Sequence, residues 1–69
     1  MKKYFTVTFI TDTNFGDEEF AIVYAKNEAE ARKEMELILG EHLLAMTIRQ
    51  STWAERRFAR HNERIVIAI

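Results

Sequence analysis

The chain has no cysteine and no proline, two glycines (Gly16 and Gly40) and one serine, Ser51. Without cysteine there is no disulfide framework, no thiolate metal cage and no thiol nucleophile, so 69 residues must be stabilised by their core alone. That absence fits a reducing, cytoplasmic setting. The longest apolar runs, such as Ile65-Val66-Ile67-Ala68-Ile69, fall far short of the roughly 20 residues that cross a bilayer, so no membrane partner is expected. Lys2 and Lys3 resemble the start of a signal peptide, but Thr6, Thr8, Thr11 and Asp12 interrupt the apolar stretch that would have to follow. Two isolated glycines cannot build a phosphate-cradling loop, which argues against nucleotide cofactors.

Metal and catalytic constellations are missing in the same way. His42 and His61 are the only histidines, and their spacing matches no zinc site. The segment Asp12-x-Asn14-x-Gly16-Asp17 evokes a calcium loop, but its glycine comes one position early and Val23 stands where the bidentate glutamate belongs. Ser51 could serve as a nucleophile only inside a water-excluding pocket, and so short a chain has little interior to form one. We therefore expect no catalytic residues, no metal and no cofactor.

A hydrophobic content of 48%, a charged content of 30% and a net charge of −1 are those of a globular chain, and residues 1–69 read as one domain. Residues 3–11 alternate, with Phe5, Val7 and Phe9 on one face. Turn formers between Asp12 and Glu18 lead into a second strand, residues 19–25. It carries Phe20, Ile22 and Tyr24 on one face and Ala21, Val23 and Ala25 on the other. Asn27 with Glu30 forms a capping box that starts a helix over about 28–39; Ala31, Met35, Ile38 and Leu39 form its apolar stripe and Gly40 its stop. Residues 43–50 alternate again, and residues 64–69 are too apolar to be left in water, so both read as strands.

Between them, residues 51–62 admit two readings. Thr52 with Glu55 is a capping box, and Ala54, Phe58 and His61 fall on one helical stripe. A strand over 53–60 with a turn at His61-Asn62 would instead give a simple antiparallel meander, and this is the favoured reading. The expected fold is thus α+β, a mainly antiparallel sheet of four or five strands with one principal helix on one face. Its element order is β-β-α-β-β-β or, if 53–61 is helical, β-β-α-β-α-β.

One helix covers one face of a small sheet. Tyr4, Ile10, Phe20, Ile22 and Tyr24, with Trp53, would then form an uncovered apolar face of the kind that marks an interaction site or a homodimer contact. On that reading, aspartate at Ile22 or Tyr24 spares folding and abolishes binding. If residues 53–61 are helical, Ala54 and Phe58 could instead close this face over Phe20 and Ile22.

Charge is also uneven. Residues 1–46 hold nine acidic and five basic groups, whereas residues 47–69 hold Arg49, Arg56, Arg57, Arg60 and Arg64 against Glu55 and Glu63. Arg56, Arg57 and Arg60 are expected to steer a partner. Direct nucleic-acid binding through the five arginines is the alternative, made less favourable by a pI near 6.1.

The junction Val23-Tyr24-Ala25-Lys26-Asn27-Glu28-Ala29-Glu30-Ala31 resembles that of small phage-encoded host-takeover proteins, among them a short phage inhibitor of bacterial RNA polymerase, over about residues 20–40. The order of elements is similar to that of small anti-CRISPR proteins in which a Trp-bearing strand and a basic hairpin follow the helix, as Trp53 to Arg64 would here. The resemblance implies a non-catalytic, stoichiometric inhibitor of a host protein complex that handles nucleic acid. It transfers no functional residue position by position.

Overall fold

The computed structural model describes residues 1–14, 16–61 and 65–67. Strand β1 (Lys3–Thr11) runs through a short 3-10 turn, Asp12–Asn14, into β2 (Glu18–Ala25), which pairs antiparallel with it, Phe5 opposite Val23 and Tyr4 opposite Tyr24. Gly16, between that turn and β2, takes a φ of 79°, a left-handed conformation that a side chain would oppose.

Helix α1 (Glu28–Leu39) starts where the cap predicts: the Asn27 side-chain oxygen accepts from the Glu30 amide at 2.9 Å. Gly40, at φ 58°, ends it and donates its amide to the Glu36 carbonyl. A second 3-10 turn, Gly40–His42, delivers the chain to β3 (Leu43–Gln50), antiparallel to the other side of β1.

The core lies between α1 and one sheet face. Phe5, Val7, Phe9, Val23, Ala25, Ala31 and Met35 are buried there, with Ala21, Leu39, Leu43, Met46 and Ile48 packed around them. The small alanines of β2 let the helix approach closely. Ile38, expected on the inward stripe, is 54% exposed; Met35 and Leu39 occupy the contact, and Ile38 lies a residue off their line.

Residues 53–61 form helix α2 (Trp53–His61), not a strand, so the expected Trp-bearing strand is absent and the order is β-β-α-β-α-β. The turn expected at His61-Asn62 falls partly outside the described residues. Strand β4 (Ile65–Ile67) pairs parallel to β2, Ile22 beside Ile65, giving the order β3-β1-β2-β4. The antiparallel part of the sheet is therefore three strands. Arg64, Ala68 and Ile69, expected in the terminal strand, lie outside the described residues. No helix among the described residues is long and apolar enough to cross a membrane.

Topology decides where α2 goes. Strands β2, β3 and β4 all point the same way, so β2-α1-β3 and β3-α2-β4 are both crossover connections. The first travels across the sheet in one direction and the second returns. Crossovers of this kind are almost always right-handed, and two of the same hand travelling in opposite directions must lie on opposite faces. Helix α2 accordingly packs on β2 from the side away from α1.

That placement corrects the expectation of an uncovered face. Ile22 is 1% exposed and Thr6, opposite it, 3%. A charged group at Ile22 would be desolvated without a partner, at a cost comparable to the whole stability of a 69-residue domain, about 3–10 kcal/mol. We predict that Ile22→Asp abolishes cooperative urea unfolding followed by circular dichroism. Phe20→Asp, on the same strand face but 47% exposed, should retain it.

Candidate functional site

The turn from β3 into α2 is held at several points. The Ser51 amide donates to the Tyr4 carbonyl at 2.9 Å, extending the β1–β3 ladder, and the Ser51 and Thr6 hydroxyls share a hydrogen bond of 2.8 Å. The next residues close a complete capping box. The Thr52 amide donates to Glu55 Oε1 at 2.8 Å, and the Glu55 amide donates to Thr52 Oγ1 at 3.3 Å. Arg49 then grips the same carboxylate with both guanidinium nitrogens, Nη1 to Oε1 at 2.6 Å and Nη2 to Oε2.

The Arg49 hydrogen bonds, helped by those from Thr52, hold the Glu55 carboxyl down to about 2 against burial that opposes them. Arg49 is raised in turn, chiefly by the same hydrogen bond. Arg49 thus serves to fasten α2, which takes it out of the set of arginines available to a ligand.

Helical geometry sorts the rest of α2 into two stripes. Ala54 and Phe58, four apart, face the sheet, and the Phe58 ring meets that of Phe20 at 5.8 Å between centroids. Between helix and sheet runs an open groove of about 500 Å³ lined mainly by Thr6, Thr8, Phe20, Ala54 and Phe58, with Glu18 and Glu19 at its rim. The second stripe is Trp53, Arg56, Arg57 and Arg60, spaced i, i+3, i+4 and i+7, and these four line a surface hollow of about 670 Å³. Trp53 is 65% exposed, and the Arg57 guanidinium lies over its ring at 5.5 Å.

The residues expected to form one binding face are therefore dispersed. Trp53, Arg56, Arg57 and Arg60 come together. Phe20 lines the groove on the sheet side of α2, away from them, half of it exposed. Tyr4 and Tyr24 stack on each other at 4.6 Å, half-buried, and Lys2 Nζ lies 5.8 Å from the Tyr24 ring. Ile10, half-buried, sits toward the other end of β1 opposite Glu18 and Ala45. Ile22 is inside the protein. Arg64 lies outside the described residues. The 53/56/57/60 stripe was present in the sequence as a helical period; reading this stretch as strand hid it, because alternation puts Trp53 and Arg57 on one face and Arg56 and Arg60 on the other.

No protein-family model matches this chain, and no curated protein and no solved structure matches it.

Glu55 has a lowered folded pKa, so its contribution to stability is complete above about 4.5, its ordinary value, and is lost as pH falls through about 2. We predict that Glu55→Ala, which removes half the capping box, costs about 1 kcal/mol at pH 7. The difference from the unsubstituted protein in urea midpoint should shrink steadily between pH 4 and pH 2. A difference that is the same at both ends of that range would mean the carboxylate does not fasten the helix.

Proposed function

We infer that this chain is a non-catalytic binding module that acts by occupying a surface of a larger protein complex, with α2 as its docking element. The observation that carries this reading is the outward stripe of α2: an exposed tryptophan with one arginine stacked on it and two more alongside. Tryptophan and arginine dominate binding energy in protein interfaces, because one offers a large rigid apolar area and the other a planar, weakly hydrated charge. The partner that fits is a protein presenting an acidic patch beside an apolar cleft wide enough for the indole. A stoichiometric inhibitor of a complex that handles nucleic acid, as the β2-α1 junction suggests by resemblance, would work in this manner.

Several features favour a binding module over a catalyst. Ser51 and His42 stand at opposite ends of the eight-residue β3, about 30 Å apart at strand rise. Each is engaged locally, Ser51 with Thr6 and His42 with Asp12 at 2.8 Å. Direct nucleic-acid binding draws on the same three arginines, which lie within two turns of one helix and could follow a phosphate backbone. Against it stand the neutralisation of Arg49 by Glu55 and the position of Glu18 and Glu19 at the rim of the adjoining groove.

The two readings differ in their response to salt. Affinity capture from a bacterial lysate with the unsubstituted protein and with Trp53→Ala/Arg57→Ala should show a protein retained by the first and lost by the second. The affinity ratio should be about 30-fold or more, the size of one strong anchor. Binding to generic duplex DNA or RNA should be absent at low ionic strength. Equal capture by both proteins removes the α2 surface from consideration, and generic binding that falls steeply with salt transfers it to nucleic acid.

A further inference from the structure

Strand β3 is an edge of the sheet: among the described residues it pairs only with β1. The ladder fixes which of its backbone groups are spent. The Ser51 amide donates to the Tyr4 carbonyl, and in an antiparallel pair hydrogen-bonded residues alternate, so Arg49, Thr47 and Ala45 turn their amides and carbonyls toward β1. Met46, Ile48 and Gln50 therefore direct theirs outward. The edge carries none of the usual guards along residues 45–50. There is no proline and no lysine, Arg49 is the one charge, and the single irregularity in the register lies at its far end, between Ile10 and Thr11. Ala45, Thr47, Arg49 and Gln50 are exposed, as is Leu44 at 64%.

We propose that this edge pairs with a second copy of the chain, β3 against β3, antiparallel about a two-fold axis at Thr47. Two conditions select that register. Opposite residues must share a sheet face, and the pairing must run along as much of β3 as possible, its hydrogen bonds made by residues whose backbone groups point outward. With the axis at Thr47, Met46 and Ile48 form hydrogen-bonded pairs with the partner's Ile48 and Met46, and Gln50 falls opposite the partner's Leu44 at either end. On the other face Thr47 meets Thr47, a favourable cross-strand pair. Arg49 falls opposite Ala45, so the only charge on the strand meets no like charge. Shifting the axis to Met46 would move Leu44, next to the register irregularity, from the end of the pairing to a place opposite Ile48, and shifting it to Ile48 would shorten the pairing within β3 from residues 44–50 to 46–50. The paired edge is about 20 Å long with a side-chain layer on either side, a strip of roughly 400 Å² in section, so the two protomers together bury about 800 Å², the size of a weak, transient contact. Dimerisation is thus expected at micromolar concentrations.

Thr47 is exposed and on the face away from the core, so charging it should spare the fold. Sedimentation equilibrium of the unsubstituted protein, up to roughly 100 µM, should show a monomer-dimer equilibrium. Thr47→Lys and Thr47→Glu should each be monomeric, with unchanged circular dichroism, and an equimolar mixture of the two should dimerise. In the dimer the amides of Met46 and Ile48 should exchange more slowly as concentration rises. A protein that is monomeric throughout the range overturns the proposal, as does a Thr47→Glu variant that still dimerises. Protection of the edge amides by a strand from another protein, in a chain that never self-associates, overturns it equally and makes the edge a site for a foreign strand.

Discussion

The β3-α2 junction sets a helix over the second sheet face. Within seven residues the chain leaves an edge strand, crosses back over the sheet and begins a helix. It does so because Arg49 and Thr52 converge on the Glu55 carboxylate while Ser51 prolongs the ladder to β1. An exposed ion pair contributes little by itself, and an N-cap contributes about 1 kcal/mol. Their importance is positional. They launch a short, strongly charged helix in the one direction that lays Ala54 and Phe58 toward β2, on the sheet face where Ile22 is buried. Burial of a side chain of that size, about 1.5–3 kcal/mol, outweighs any single contact at the junction.

Nine residues would be marginal as an isolated helix. Helix α2 persists because one stripe of it has somewhere to go, and the same geometry leaves the opposite stripe facing out. The cluster of Trp53 with Arg56, Arg57 and Arg60 is therefore a consequence of covering β2 with so short an amphipathic element: residues turned away from the sheet at i, i+3, i+4 and i+7 have no other place. Structure and proposed function meet at this point, since the helix that completes the fold also presents the side chains best suited to bind.

Much of this was legible in the residues themselves. The alternation of β1 and β3, the inward stripe of α1, its Asn27 cap and its Gly40 stop all correspond to local physics with one strong solution, and the structure follows them except at Ile38, which the stripe placed inward and the fold leaves 54% exposed. The second half of the sheet problem was not local. Residues 53–60 satisfy a strand pattern and a helix pattern about equally; what decides is that Ile22 needs a cover and that the return crossover must run on the free face. Neither condition is visible in a window of ten residues. The same failure concealed the candidate site, because Ile22 was counted with the binding residues although it is buried. Parallel pairing of β4 with β2 was missed for a related reason: a meander was expected where the helix makes a crossover.

The two surfaces proposed for this chain are compatible, and their combination has a consequence. In a β3-β3 pair the two-fold axis stands perpendicular to a continuous sheet, so both α1 helices fall on one side of it and both α2 helices on the other. The Trp53-Arg57 stripes of two protomers would then face the same way, across a sheet extended from three antiparallel strands to six. For a partner that repeats its acidic patch, or is itself a symmetric oligomer, the second contact becomes intramolecular and the effective affinity rises by orders of magnitude without any new side-chain interaction. The gain exists only where the partner's spacing matches that of the two helices. An edge pairing of modest area could thus set which complexes the module binds tightly, while the side chains that touch the partner remain those of a single short helix.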